Sequence, residues 1–243
     1  MTILLKLDGK TAQGTMEDFT VPFQNFELER NQKYEVAMIR AQIWYSWHNI
    51  TEDKGNNVLS ISMNAASTWH EITIPNGMWS ISLLNEFLKT KVESLGGDPD
   101  LIDITGNLAT LKVDIALGAD YQIDLRQGSL HTLLGFTSVI VTASTSGTLP
   151  VDITGGVNSI LIHSSIATGS FINSSQSDII YSFSPDVGPG NLLDIHPTTP
   201  IYLPLSTHSQ INSITMRVTD QNNNLIDLNN ENVSYLLHIR KTV

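Results

Sequence analysis

Cysteine is absent from the 243 residues, which excludes disulfides and thiolate metal centres. Charge is scarce. Only 15% of residues are charged, and 13 are basic against 24 acidic, a net charge of −11. Wrapping nucleic acid requires Lys and Arg to displace counterions from phosphates. Here the basic residues are scattered, and the one basic cluster, Arg240 and Lys241, is too small for a DNA arm, so no direct nucleic-acid binding is expected. No apolar run approaches the roughly 20 residues of a membrane span. The opening MTILLKLDGK lacks the apolar stretch of a signal peptide. Neither a membrane span nor a cleaved signal is therefore expected. The familiar catalytic signatures are missing too: no GxSxG elbow and no GxxxxGK[ST] phosphate loop. The seven histidines (His48, His70, His131, His163, His196, His208 and His238) include no HxH or HExxH spacing and read as isolated residues of loops and strand ends. No catalytic, cofactor-binding or metal site is expected.

What is present is β-branched residues in short runs bounded by Gly, Pro, Asn or Asp. Candidate strands cover 2–7, 34–47, 58–63, 71–74, 109–115, 121–125, 159–164, 179–184, 201–205, 211–219 and 233–240, with a short return at 225–228. In 34–47 the apolar phase carried by Val36 and Met38 slips near Ala41 before Ile43, Tyr45 and Trp47, as a β-bulge causes. One helix interrupts the pattern. Ser80 is its N-cap, Ile81, Leu84, Leu88, Val92 and Leu95 recur at helical spacing, and Gly96, Gly97 and Pro99 end it. Residues 129–136, SLHTLLGF, read as a single helical turn closed by Gly135, and 138–156 as an exposed loop or strand edge. Strands that follow one another without helical crossovers pair antiparallel. The expected fold class is therefore all-β, an antiparallel β-sandwich of about eight strands in jelly-roll order with one inserted helix. The expected organisation is an N-terminal arm over 1–25 and a single domain over 26–243, with the helical insertion near 80–96.

Four patterns have a chemical reading to weigh. Asp220, Asn222, Asn224 and Glu231 have calcium-loop spacing, but Leu225 stands where the loop needs Gly and the flanks are strand-like, so the run reads as a hairpin turn. Asp186 and Asp194 flank a Gly/Pro loop but have no third element for acid–base work. Trp44, Trp47, Trp69 and Trp79 read as core or interface anchors, with stacking on sugar as the alternative. Glycosylation sequons at Asn49, Asn173 and Asn232 are what chance gives in a chain this rich in Asn, Ser and Thr.

The order of segments resembles a known family. It runs from LERNQKYEVAMIRAQIWYSW through EITIPNGMWSISLLNEFL, NLATLKVDI and LHTLLGF to VNSILIHSSI, IIYSFSPDVGPGNLLDI and IYLPLSTHSQINSITMRVTDQNNNLIDLNNENVSYLLHIRK. The matching pieces are the strand at Glu35 to Met38, the TIP-x-G turn at Thr73 to Gly77, LLGF at Leu133 to Phe136, the strand at Ser159 to His163, and the closing strand Ile211 to Asp220. The series is similar to the penton-like, single jelly-roll minor capsid proteins of Polinton/Maverick elements and of adintovirus- and virophage-like viruses. The last hairpin departs from the family's D-x-x-G, with Asn223 and Asn224 in its place. Asn tolerates the left-handed conformation, so the turn can survive.

The resemblance implies a non-enzymatic virion component that assembles inside the host cell. It would form a homopentamer at the vertices of an icosahedral shell, beside a longer major capsid protein. The arm 1–25 and the segment 138–156 are the candidate contacts between copies, and removing 1–25 is expected to leave a folded sandwich that assembles poorly. The alternative is a trimeric host-attachment spike or carbohydrate-binding module using Trp69 or Trp79.

Overall fold

The computed structural model describes residues 2–207 and 210–242; Met1 of the expected arm and His208 lie outside them. The chain divides into two compact units, one of Met1–Trp47 with Val157–Val243 and one of His48–Gly156.

The larger unit is built from strands that hide alternate residues. In Gln210–Asp220, Ile214, Met216 and Val218 are buried while Thr215 and Arg217 reach the surface, the period-2 pattern of a sheet with one solvated face. The pairing is nested. Asp18–Glu27 pairs Gln210–Asp220. Inside that pair, Tyr34–Trp44 pairs the interrupted strand Leu192–Ile195 and Leu203–Pro204. Ile160–Ser164 then pairs Ile179–Phe183, and the hairpin Ser170–Ile172 with Ser175–Ser177 sits innermost. A long antiparallel ribbon nested this way and rolled on itself is a jelly roll. Ile160–Ser164 also pairs Gln210–Asp220, which closes one sheet. The other is widened by Ser234–Lys241 beside Tyr34–Trp44 and by Thr2–Asp8 at its edge. The two sheets face one another across a core in which Phe19 of one stacks on Tyr235 of the other, with ring centroids 6.0 Å apart. Burying an aromatic or large aliphatic side chain this fully stabilises by about 1.5–3 kcal/mol.

The expected phase slip is present. Leu236 pairs Arg40 while Leu237 pairs Met38, so Ile39 is the extra residue, and the buried set shifts from Val36 and Met38 to Ala41 and Ile43. The bulge lies two residues before the position read from sequence.

Two expectations about organisation are corrected. Residues 2–25 of the expected arm 1–25 carry strands of the sandwich instead. Thr2–Asp8 is a seven-residue strand paired along its length with Ser234–Lys241, and Asp18–Glu27 is a ten-residue strand whose Phe19 is only 1% exposed. Alternation in TILLKLD sends Leu7 into the core, and that burial holds the segment in the sheet. Nor is the insertion only a helix. Residues 48–156, between Tyr34–Trp44 and Ile160–Ser164 in the chain, have their own core of Leu59, Ile61, Leu84, Leu88, Val113 and Ile123 among others.

In this smaller unit a four-stranded sheet (Ile140–Val141, Gln122–Asp124, Val58–Ser62, His70–Thr73) accompanies a three-stranded one (Thr145–Ser146, Lys112–Leu117, Ile102–Asn107). The segment 138–156 thus supplies edge strands to both. The helix α1, Ile81–Ser94, begins where the Ser80 hydroxyl accepts the Leu83 N–H and buries Leu84, Leu88 and Val92. Asn85 ties it to the neighbouring strand, accepting the Ile104 N–H and donating to Asp103.

Gly96 and Gly135 close their helices in the same way, each with positive φ (82° and 74°). In both, crossed bonds return to carbonyls three and five residues back, Gly96 to Glu93 and Gly97 to Val92, Gly135 to Thr132 and Phe136 to His131. Space separates the two sites. A Cβ on Gly96 meets nothing within 4 Å, whereas one on Gly135 lands 2.3 Å from the Leu149 carbonyl oxygen. Gly96→Ala is expected to lose about 1 kcal/mol, the left-handed penalty alone. Gly135→Ala is expected to lose at least about twice that, because the facing atom is backbone. Urea denaturation of the two variants side by side measures the difference, and equal losses would refute the steric account.

Candidate functional site

A connected polar cluster lies in the larger unit. Ile160–Ser164 carries His163, 1% exposed in an otherwise apolar run. Directly across the ladder stands Arg217. On the other side, the register of Ile179–Phe183 shifts between the partners of Ile162 and His163, and that bulge brings Asp178 alongside the imidazole. His163 Nδ1 lies 2.7 Å from Asp178 Oδ1 and Nε2 lies 2.9 Å from Thr219 Oγ1. Arg217 donates to the same carboxylate at 3.2 Å. Chiefly through the His163 hydrogen bond, Asp178 is held below the ordinary carboxylate value of 3.8.

Threonine, histidine and aspartate in this order mimic a nucleophile, its base and the base's orienting group. Accessibility decides against that reading. The Thr219 side chain belongs to a residue 0% exposed, and His163 is sealed beside it, so no substrate reaches either. The cluster is instead a hydrogen-bonded network, buried at His163 and Thr219 and half-buried at Asp178 and Arg217, that ties neighbouring strands in register. Nothing in residue spacing announces it, since the partners lie 15 and 56 residues from His163. The signal available in sequence is one histidine inside the apolar run ILIHS.

Asp178→Asn is expected to lose about 1.5 kcal/mol at neutral pH, the low end for a charge-assisted bond because a third of the carboxylate side chain meets solvent. A carboxylate whose folded pKa is depressed stabilises above its unfolded value, and that stability is lost as pH falls through the folded one. Wild type and variant should therefore differ most above pH 3.8 and converge below it. Urea titrations across that range test this, and a pH-independent difference would contradict it.

The other residues singled out by sequence are placed as structure. Asp220 Oδ1 accepts the N–H groups of Asn222 and Asn224, and Oδ2 accepts the Asn224 amide. The D-x-N-x-N run is thus an Asx-type hairpin turn, with Asn223 left-handed at φ 67°. Asp194 is held by Arg40 through two bonds of 2.8 and 2.9 Å and is pulled down to about 2, the reverse of what a proton donor needs. Asp186 is exposed. Trp79 donates its indole N–H to the Pro75 carbonyl and meets the Phe87 ring edge-on at 5.2 Å, so it anchors packing. Trp47 is buried, Trp69 half-buried, and Trp44 stands 39% exposed at its strand end. His196 contacts Asp194, and His238 contacts the Tyr202 hydroxyl at 2.6 Å. Arg240 pairs with Glu35 and lies over the Tyr202 ring, and Lys241 faces Glu29 at 3.7 Å, so the terminal basic pair is neutralised locally. Asn49 is 0% exposed, its amide donating to the Trp79 and Ile153 carbonyls and accepting the Trp79 N–H. Among the described residues no group of acidic or histidine side chains has metal-binding geometry, and no helix is long and apolar enough to cross a membrane.

What remains open is edge and apolar surface. The outer side of Thr2–Asp8 has no partner strand among the described residues, and its Leu4 is 62% exposed. In the smaller unit Leu108, Leu111 and Leu149 are exposed, the last within the segment 138–156. The Val151 N–H bonds the Leu111 carbonyl, which sets that segment along Lys112–Leu117.

No family model and no curated protein matches the sequence. Among solved structures, the crystal structure of the mavirus penton protein superposes with a TM-score of 0.54 at 10% identity, covering 100% of both chains. In fold, this chain is similar to the mavirus penton protein. A chain of the Sputnik virophage, solved by cryo-EM, aligns with a TM-score of 0.49 at 14% identity over 99% of this chain and 98% of its own. The likeness to the mavirus penton protein runs end to end and is consistent with the expected all-β jelly roll. At this identity it is a likeness of fold.

Proposed function

We propose that the chain is a viral capsid structural protein of penton type, a vertex subunit that acts by self-assembly. The observation that carries this reading is the end-to-end fold likeness to the mavirus penton protein, with neither chain left uncovered. The physical features support it. The His163 and Thr219 side chains, which would have to act as base and nucleophile, are buried. The charge content is low, so few ions need desolvating when copies meet. The free edge of Thr2–Asp8 and the exposed leucines of the smaller unit provide surface for heterologous contacts, which close into a ring when the rotation between copies is a whole fraction of a turn. Its partners are other copies of itself, as a homopentamer, and a major capsid protein, and its place is the virion.

Light scattering of the purified protein, with and without co-expressed major capsid protein, tests the reading. A species of five times the 26.7 kDa chain mass, appearing as fivefold rings or as filled shell vertices, is the expected result. A stable trimer, or a chain left out of assembled shells, would overturn it.

A further inference from the structure

We propose that an open groove of about 740 Å³, between the hairpin Ser170–Ile172/Ser175–Ser177 and the His163–Arg217 strand pair, binds a neutral carbohydrate. The inference goes beyond the vertex role and does not depend on it.

The volume lies within the range of small-ligand sites, about 300–1,000 Å³. The lining decides the ligand class. Among the described residues it is made of hydroxyl and amide side chains, including Asn173, Ser175 and Gln176, around Asp178, Arg217 and the edge of His163, with only Ala167 and Ile172 apolar. A peptide or lipid needs deeper apolar pockets than these two side chains can form. An anion or cation needs an uncompensated charge, and Asp178 and Arg217 compensate each other at 3.2 Å. A sugar hydroxyl both donates and accepts. It is matched by a carboxylate that accepts, a guanidinium that donates, and Ser, Asn and Gln side chains that do both. Ile172 and Ala167 leave a small apolar surface for the C–H face of a sugar ring.

The site is built before any ligand arrives. Asp178 is oriented from behind by His163, itself held at both ring nitrogens by Asp178 and Thr219. One third of each of the Asp178 and Arg217 side chains stays open to solvent. Groups held in place by a buried second layer lose little freedom on binding, which is what a shallow polar groove needs to gain affinity.

The test uses the full chain, labelled with ¹⁵N and titrated with methyl glycosides of glucose, galactose and mannose, with N-acetylglucosamine, and with sialic acid as the acidic control. Expected are saturable shifts from at least one neutral sugar, centred on residues 163–178 and 217. Affinity should weaken at least fivefold in Gln176→Ala, on the exposed hairpin, and in Asp178→Asn. If Asp178→Asn fails to fold, Gln176→Ala decides alone. No saturable shift with any neutral sugar, shifts confined elsewhere, binding of sialic acid only, or unchanged affinity in Gln176→Ala would each overturn the proposal. Vertex assembly would stand in all four cases.

Discussion

A chain lacking residues 1–25 is expected to lose its sandwich altogether. The truncation removes Thr2–Asp8 from one sheet and most of Asp18–Glu27 from the other. With them go Leu7 and Phe19, each 1% exposed. Large-to-small changes at single sites of this kind lose about 2–5 kcal/mol each. Here whole strands depart, so Ser234–Lys241 and Gln210–Asp220 each also lose one of their two ladder partners. Together these losses are comparable with the roughly 5–15 kcal/mol that holds a typical domain folded. Leu7→Ala, by contrast, should leave a folded protein weakened by about 2–5 kcal/mol. Far-UV circular dichroism and amide dispersion in NMR spectra distinguish the two. A truncated chain with native dispersion would show that these strands are dispensable, as the sequence-based expectation of an arm requires.

The second large effect lies at the centre of the core, where two substitutions of one residue should move stability in opposite directions. Tyr235 is 1% exposed, stacks on Phe19, and its hydroxyl has no hydrogen-bond partner among the described residues. Burial pushes its phenol upward, since a phenolate there would be unsolvated. A buried polar atom left unpaired destabilises by about 1–3 kcal/mol. Tyr235→Phe keeps the ring and removes that atom, so a gain of about 1 kcal/mol or more is expected, a rise in Tm of about 2–4 °C per kcal/mol for a chain of this size. Tyr235→Ala keeps neither and should lose about 3–5 kcal/mol through the cavity it leaves. Thermal and urea unfolding of the pair provide the check. A loss of stability in Tyr235→Phe would mean that the hydroxyl is bonded in solution.

How much of this was legible in the sequence depended on whether local pattern and tertiary role agreed. The helix at Ile81–Ser94 was legible because cap, apolar spacing and terminating glycines all point the same way. Gln210–Asp220 and Ser234–Lys241 were legible because Ile214, Met216 and Val218 in the first and Tyr235, Leu237 and Ile239 in the second alternate with less buried neighbours. Asp18–Glu27 was not. Pro22 interrupts its donors, Asn25 is left-handed at φ 59°, and the register against Gln210–Asp220 shifts between Ile211 and Ser213. A bulged strand of this kind reads as a turn-rich stretch. The independence of residues 48–156 was hidden for another reason: no shift in composition marks Trp47–His48 or Gly156–Val157. The His163 cluster was hidden because it is assembled by register, and register is set by partners distant along the chain.

The nested pairing has a consequence for synthesis. Thr2–Asp8 pairs Ser234–Lys241, more than 220 residues further along the chain, and is made long before it. Asp18–Glu27 must likewise wait for Gln210–Asp220. Residues 48–156 hold all their strand partners within one contiguous stretch and can condense while translation continues. The chain thus matures from the middle outward. The nascent sheet edges stay unpaired until those distant strands are made, and that interval sets how long they need protection from one another in a cell making many copies at once.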